Sequence, residues 1–181
     1  MNVVFFGGQK AGLVCLLALA AKEKIVQVFA EDKVVEEISL ALGFETFKAK
    51  DLVKENLSGC DLLVCCHGKK ILSKEVLSKP KIGCINLHPF LEDFKGLNPV
   101  GRWFDSNSKE LSVGVYWMSE KVDCGEVICV KKALTKKSFR SVEEVYNELY
   151  SLYVLALLKA LVLVKGVRKN EFKVLGRNHP C

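Results

Sequence analysis

The sequence is poor in the features that would mark several classes of protein. Four of its 181 residues are proline and thirteen are glycine, which excludes collagen-like and low-complexity chains. No two cysteines are spaced CxxC, so a zinc knuckle is not expected. Neither the GxGxxG dinucleotide fingerprint nor a GxxxxGKS/T nucleotide loop occurs. Lys10 interrupts the first apolar run, and Lys22 and Lys24 follow the second, which does not fit a secretory leader. The apolar stretch from Ala11 to Ala21 is shorter than the roughly 20 residues that cross a bilayer. There is no internal repeat and no evident interdomain linker.

What is present suits one globular domain. Half of the residues are apolar and 27% are charged, enough to bury a core. Lys and Arg number 27 against 21 Asp and Glu, a net charge of +6. That excess is mild, and no basic patch interleaved with aromatics stands out as a nucleic-acid surface. The eight cysteines are Cys15, Cys60, Cys65, Cys66, Cys84, Cys124, Cys129 and Cys181. Cys65, Cys66, Cys84 and Cys129 lie in apolar strand-like stretches, where a thiol behaves as a small hydrophobe. We expect reduced, structural cysteines in a cytoplasmic protein.

Strands and helices alternate through the first half. Met1–Phe6 is a β-rich run closed by Gly7-Gly8, and helix formers follow from Gln9 to Lys22. Ile25–Phe29 reads as a strand, Lys33–Leu42 as a helix stopped by Gly43, and Phe44–Phe47 as a short strand. Asp51 is placed to cap a short helix running through Glu55. Asp61–Cys66 is an almost unbroken apolar strand, the pattern of a strand buried on both faces of a parallel sheet. A helical segment at Ser73–Leu77 and the strand Ile82–Leu87 come next. The expected fold is α/β, a Rossmann-like doubly wound, mostly parallel sheet with flanking helices.

The second half changes character. Strands at Ser112–Met118 and Glu126–Leu134 flank the loop Ser119–Gly125. Ser141, with Glu144 three residues on, is a capping box that opens a long helix ended by Gly166. Residues 1–166 form the expected domain. Residues 167–181 are left as a short C-terminal tail, with Lys169–Leu175 a possible last strand. Leu161 and Val162, read as exposed on the long helix, would suit a homodimer.

Two segments carry chemistry. Gly7-Gly8-Gln9-Lys10 joins a strand to a helix, a turn able to hold an anion through backbone N–H groups or to be plain structure. Ile85-Asn86-Leu87-His88-Pro89 ends a predicted parallel strand, where open α/β sheets bind ligands. Asn86 and His88 are two residues apart and face the same side of an extended chain. An amide there can stabilise developing charge on a carbonyl oxygen, and an imidazole can handle a proton near neutral pH. Phe90–Gly96 follows, then Leu97-Asn98-Pro99, and later Gly114–Met118 leads to Lys121-Val122-Asp123-Cys124-Gly125-Glu126-Val127-Ile128.

With these segments, roughly residues 1 to 165 resemble the folate-dependent formyltransferases, the family of glycinamide ribonucleotide, methionyl-tRNA and sugar N-formyltransferases. The shared pattern is Asn-x-His-Pro, a loop with a basic residue and Gly, and a hydrophobic strand ending in Asp-x-Gly. It is met at Asn86, His88, Pro89, Lys95, Gly96, Asp123, Gly125 and Ile128. His67-Gly68-Lys69-Lys70-Ile71-Leu72-Ser73 and the last helix resemble the family as well.

The resemblance implies formyl transfer from N10-formyltetrahydrofolate to a primary amine, with no metal. Asn86, His88 and Asp123 match the catalytic set. Asn86 would donate to the tetrahedral oxyanion, and Asp123 would hold His88 charged or correctly oriented. The folate would lie against Lys70, Ile71, Leu72, Trp117, Met118 and Val122. Gln9, Lys10, Lys95, Gly96 and Asn98 would face the acceptor. His67 is expected to be a strand-end polar residue. Missing Asn-Leu after the first glycines argues against glycinamide ribonucleotide, the short tail argues against tRNA, and Asn98-Pro99 fits a nucleotide-linked amino sugar loosely. The expected acceptor is therefore a small amine. A glycinamide ribonucleotide enzyme, a methionyl-tRNA enzyme, a degenerate folate-binding protein, and a dinucleotide-binding module suggested only by Gly7-Gly8 stay open.

Overall fold

The computed structural model describes residues 1–90, 92–106 and 108–166. Seven strands form one sheet: β1 (Asn2–Gly7), β2 (Lys24–Ala30), β3 (Thr46–Lys48), β4 (Leu62–Cys66), β5 (Gly83–Pro89), β6 (Glu110–Trp117) and β7 (Val127–Leu134). The helices are α1 (Gln9–Ala20), α2 (Lys33–Ala41), α3 (Lys74–Ser78), α4 (Pro99–Phe104) and α5 (Val142–Lys165). Strand order is β3-β2-β1-β4-β5-β6-β7. The first five strands are parallel, and β6 and β7 add to the edge antiparallel. The expected doubly wound sheet is present.

Burial explains the apolar runs. Val3 to Phe6 in β1 and all five residues of β4 are buried, because both strands are central and covered on both faces. One face packs against α1, α4 and α5, through Cys15, Leu16, Leu19, Trp103, Leu149, Tyr153 and Leu157. The other is covered by α3 and irregular chain, through Leu52, Leu57, Leu72 and Val76. Connections change face between β1 and β4, so the carboxyl ends of these strands open a crevice there, with β5 beside it.

Several local expectations are corrected. Asp51 ends a short 3-10 turn, Ala49–Asp51, instead of capping a helix through Glu55. Leu52 and Leu57 are the residues of that stretch that enter the second core, and a spacing of five does not fit one helical face. α4 was not anticipated, although Asn98 caps it by accepting from the Gly101 N–H and Pro99 stands in its first turn. Six residues are too few for a periodic signal. Leu161 is buried while Val162 is 67% exposed, since adjacent helix positions point about 100° apart. Ser141 caps α5 as expected, accepting from Glu144 N–H, but Glu144 reaches back to the Arg140 N–H instead of that of Ser141. The expected strand Lys169–Leu175 and Cys181 lie outside the described residues. Five of the seven described cysteines are buried.

α5 is long and apolar enough by length and composition to cross a bilayer, yet here it is a core helix packed on α1, β6 and β7. Leu157 is fully buried and Leu155 is 51% exposed. Leu157→Ala should therefore lower unfolding free energy by about 2–5 kcal/mol, and Leu155→Ala by less than about 0.5 kcal/mol, in urea denaturation. Equal costs would mean that α5 does not pack as described.

Candidate active site

The crevice begins where β1 and β4 run closest. A side chain at Gly7 would put its Cβ 2.0 Å from the Cys66 carbonyl oxygen, so only glycine allows this approach. The Gly8 N–H then donates to the same oxygen. Asp32, at the start of α2, accepts from Val35 N–H with one carboxylate oxygen and from Gln9 N–H with the other. The N-terminus of α1 thus already faces a carboxylate. Lys10 pairs with Glu143 of α5 at 2.6 Å, both exposed. Gln9 and Lys10 are together at this turn and do not line the cleft beside β4 and β5.

A cleft of about 100 Å³ opens beside β4 and β5. Cys65 and the chain from Gly68 to Leu72 form one wall, and Met118, Ser119, Lys121, Val122 and Asp123 another. Asn86 and Tyr116 form its inner end, with Leu77 nearby. Of the residues expected against a folate, Lys70, Ile71, Leu72, Met118 and Val122 are here. Trp117 is not: strand alternation turns it to the opposite face, over Gly83, and presents Tyr116 and Met118 to the cleft. Ile71 is 72% exposed and Val122 59%, apolar side chains left uncovered at a cleft rim. The Lys70 ammonium donates to the Lys50 carbonyl, while Lys69 and Lys121 are exposed. Burial pushes the Cys65 thiol up to about 12, so this cleft cysteine stays a thiol and is not a nucleophile.

At the inner end the three expected catalytic residues converge, with a fourth. Asn86 Nδ2 donates to the Tyr116 hydroxyl at 2.7 Å, and that hydroxyl donates to Asp123 Oδ1. Asp123 Oδ2 lies 3.6 Å from His88 Nε2 and accepts from Gly96 N–H at 3.0 Å. His88 Nε2 also meets the Gly96 carbonyl at 3.3 Å, and its Nδ1 is buried without a partner among the described residues. Gly96 therefore serves through its backbone, holding the carboxylate with its N–H and the imidazole with its C=O. Lys95 is exposed, with its carbonyl bound by Arg102, and Asn98 is occupied as the α4 cap. Sequence reasoning missed Tyr116. Its only signal is the β5–β6 register, which sets it opposite Asn86.

Asp123 sits at φ 53°, a left-handed conformation unusual for a residue other than glycine. The loop is forced into that shape two residues later: a Cβ on Gly125 would fall 1.5 Å from the Trp117 carbonyl oxygen. His67 is also left-handed, at φ 57°, which swings its ring toward α5. There Nε2 meets the Tyr153 hydroxyl at 2.7 Å and the ring packs on Tyr146. Burial, with a smaller contribution from His88, lowers the His67 pKa to about 4. It is neutral at physiological pH and more deeply built in than a strand-end polar residue.

The family model described as formyl transferase matches residues 1–161. The methionyl-tRNA formyltransferase of Methylacidiphilum infernorum is 33% identical over 107 residues, covering 59% of this chain and 33% of that protein. That of Fusobacterium nucleatum is 28% identical over 195 residues, 96% of this chain and 61% of its own length. The chain thus spans between a third and three fifths of these two relatives. Among solved structures, the phosphoribosylglycinamide formyltransferase of Campylobacter jejuni superposes with a TM-score of 0.68 at 25% identity, covering 89% of this chain and 94% of that one.

Two outcomes follow from the site. Gly125→Ala should destabilise the fold and displace Asp123, seen as a lowered melting temperature and changed amide shifts at Gly96; a wild-type melt would contradict the 1.5 Å approach. Burial holds the His67 pKa at about 4, below the ordinary imidazole value of 6.5, so the folded state binds this proton less readily than the unfolded chain. The stability it contributes is complete above pH 6.5 and is lost as pH falls toward 4. Wild type should lose up to about 3 kcal/mol more than His67→Gln across that window in urea titrations.

Proposed function

We propose that this chain, which belongs to the formyl transferase family, moves the formyl group of N10-formyltetrahydrofolate onto a primary amine. The convergence of Asn86 and Asp123 on the cleft wall, with His88 3.6 Å from the Asp123 carboxylate, carries this reading. The cleft residues fit the donor. Leu72, Leu77, Met118 and Val122 offer apolar wall to a flat pteridine, and Lys69 and Lys121 offer cations to an anionic glutamate tail. The donor, when bound, supplies an activated formyl carbon. Asn86 stands to give an amide N–H to the oxygen on which charge develops. His88, buried against the Asp123 carboxylate, stands to manage the proton of the attacking amine.

Among amines, we favour methionyl-tRNA. The curated relatives carry that name. The Asp32 carboxylate already occupies the first turn of α1, and a phosphate brought there would meet like charge, which weighs against glycinamide ribonucleotide. Asn98 and Pro99, which pointed to an amino sugar, are accounted for as the start of α4.

The test is a panel: N10-formyltetrahydrofolate with methionyl-tRNA, glycinamide ribonucleotide or a nucleotide-linked amino sugar, reading tetrahydrofolate release and formylated product. Formyl-methionyl-tRNA is the expected product, and release of formate with no amine formylated would overturn the reading. Asn86→Ala should cut kcat about 100- to 1,000-fold while the circular dichroism stays that of wild type.

A further inference from the structure

We propose that Tyr116 is a positioning residue for this reaction: its hydroxyl ties Asn86 to Asp123 and thereby sets the direction in which both side chains present their reactive atoms. The proposal deepens, and rests on, the catalytic reading of those two residues.

Hydrogen-bond chemistry fixes the sense of the chain of contacts. An ionised carboxylate only accepts, so the single phenolic proton of Tyr116 goes to Asp123 Oδ1. The phenol oxygen then has only lone pairs to offer Asn86, which must meet it with the amide nitrogen. That contact uses one of the two Nδ2 hydrogens. The second stays available to an incoming carbonyl oxygen, and the side-chain amide cannot flip without facing its own oxygen to the phenol's lone pairs. On the other side, engaging Oδ1 leaves Oδ2 to His88 and to the Gly96 N–H. One hydroxyl therefore assigns a task to each end of the catalytic set.

The fold makes this arrangement stiff. Asn86 and Tyr116 are directly paired across the antiparallel β5–β6 ladder, which brings their Cβ atoms to about 5 Å. The Tyr116 ring is 3% exposed, so its position does not depend on solvent-side rotamers. Burial first, and the Asp123 carboxylate second, hold the phenol well above its ordinary pKa, so it remains a donor throughout the working range. Asp123 is faced by Tyr116 from β6 and His88 from β5, with Cys65 of β4 close enough for its own thiol to be raised by the carboxylate.

Tyr116→Phe keeps the ring and removes the hydroxyl. With wild type turning over, the variant should lose about 10- to 100-fold in kcat, the scale seen when a partner orienting a functional ligand is removed. KM for the folate should change by less than about threefold, since the cleft walls are intact. A merely structural role would lower the melting temperature and leave kcat of the folded enzyme unchanged. An unchanged kcat in Tyr116→Phe would overturn the proposal. Wild type that formylates no amine would overturn the functional reading by itself. Side-chain amide exchange then decides the tie without turnover: the Asn86 Nδ2 protons should show one slowly exchanging hydrogen in wild type, and two rapidly exchanging ones would sink it.

Discussion

The antiparallel pairing of β6 with β5 is the constraint on which the site depends. The parallel part of the sheet delivers Asn86 and His88 to its carboxyl edge, but nothing in a parallel sheet brings a carboxylate back to them. β6 returns along β5 in the opposite sense, sets Tyr116 against Asn86, and ends where the loop to β7 turns through Asp123. The turn is tight because Gly125 lies on the Trp117 carbonyl, and it is pinned because Gly96 bonds Asp123 from the β5–α4 loop. A register slip of one residue would turn Tyr116 away and bring Trp117 to the cleft. The chemistry of the site and the hydrogen-bond ladder of the sheet are the same structural fact.

Charge is distributed with similar economy. Exposed ion pairs such as Lys10–Glu143 contribute little to stability, but they decide which cations remain for a ligand. At the glycine turn, Asp32 and Glu143 neutralise the groups that an anion would otherwise use. At the cleft, Lys69 and Lys121 stand exposed beside uncovered apolar side chains at Ile71 and Val122. The net charge of +6 says nothing about this difference, which arises from where each acidic partner falls.

Much of the fold was legible because its signals are local or periodic. β1 and β4 announce burial on both faces by unbroken apolar runs, and Ser141 announces α5 through its capping pattern. The errors have physical causes as well. α4 is too short for periodicity, the chain after Ala49 buries leucines at a spacing that no regular helix has, and Leu161 and Val162 cannot share one helical face. Asn86 and His88 were legible from their spacing at a strand end, and Asp123 from the resemblance to the formyltransferases. Trp117, expected beside the folate, turns its ring over Gly83 on the opposite face, a consequence of the β6 register that the chain alone does not show.

By itself the sequence determined the α/β architecture, through burial patterns that need no partner to be read, and it marked Asn86, His88 and Asp123 as candidates for one site. Only the tertiary structure decided what surrounds them: Tyr116 joining Asn86 to Asp123, Gly96 holding both His88 and Asp123 through its backbone, and Asp32 taking the anion position at α1. The reason is that these contacts join residues 7 to 30 positions apart, across strands and loops whose register is set by packing of the whole sheet and by no local propensity.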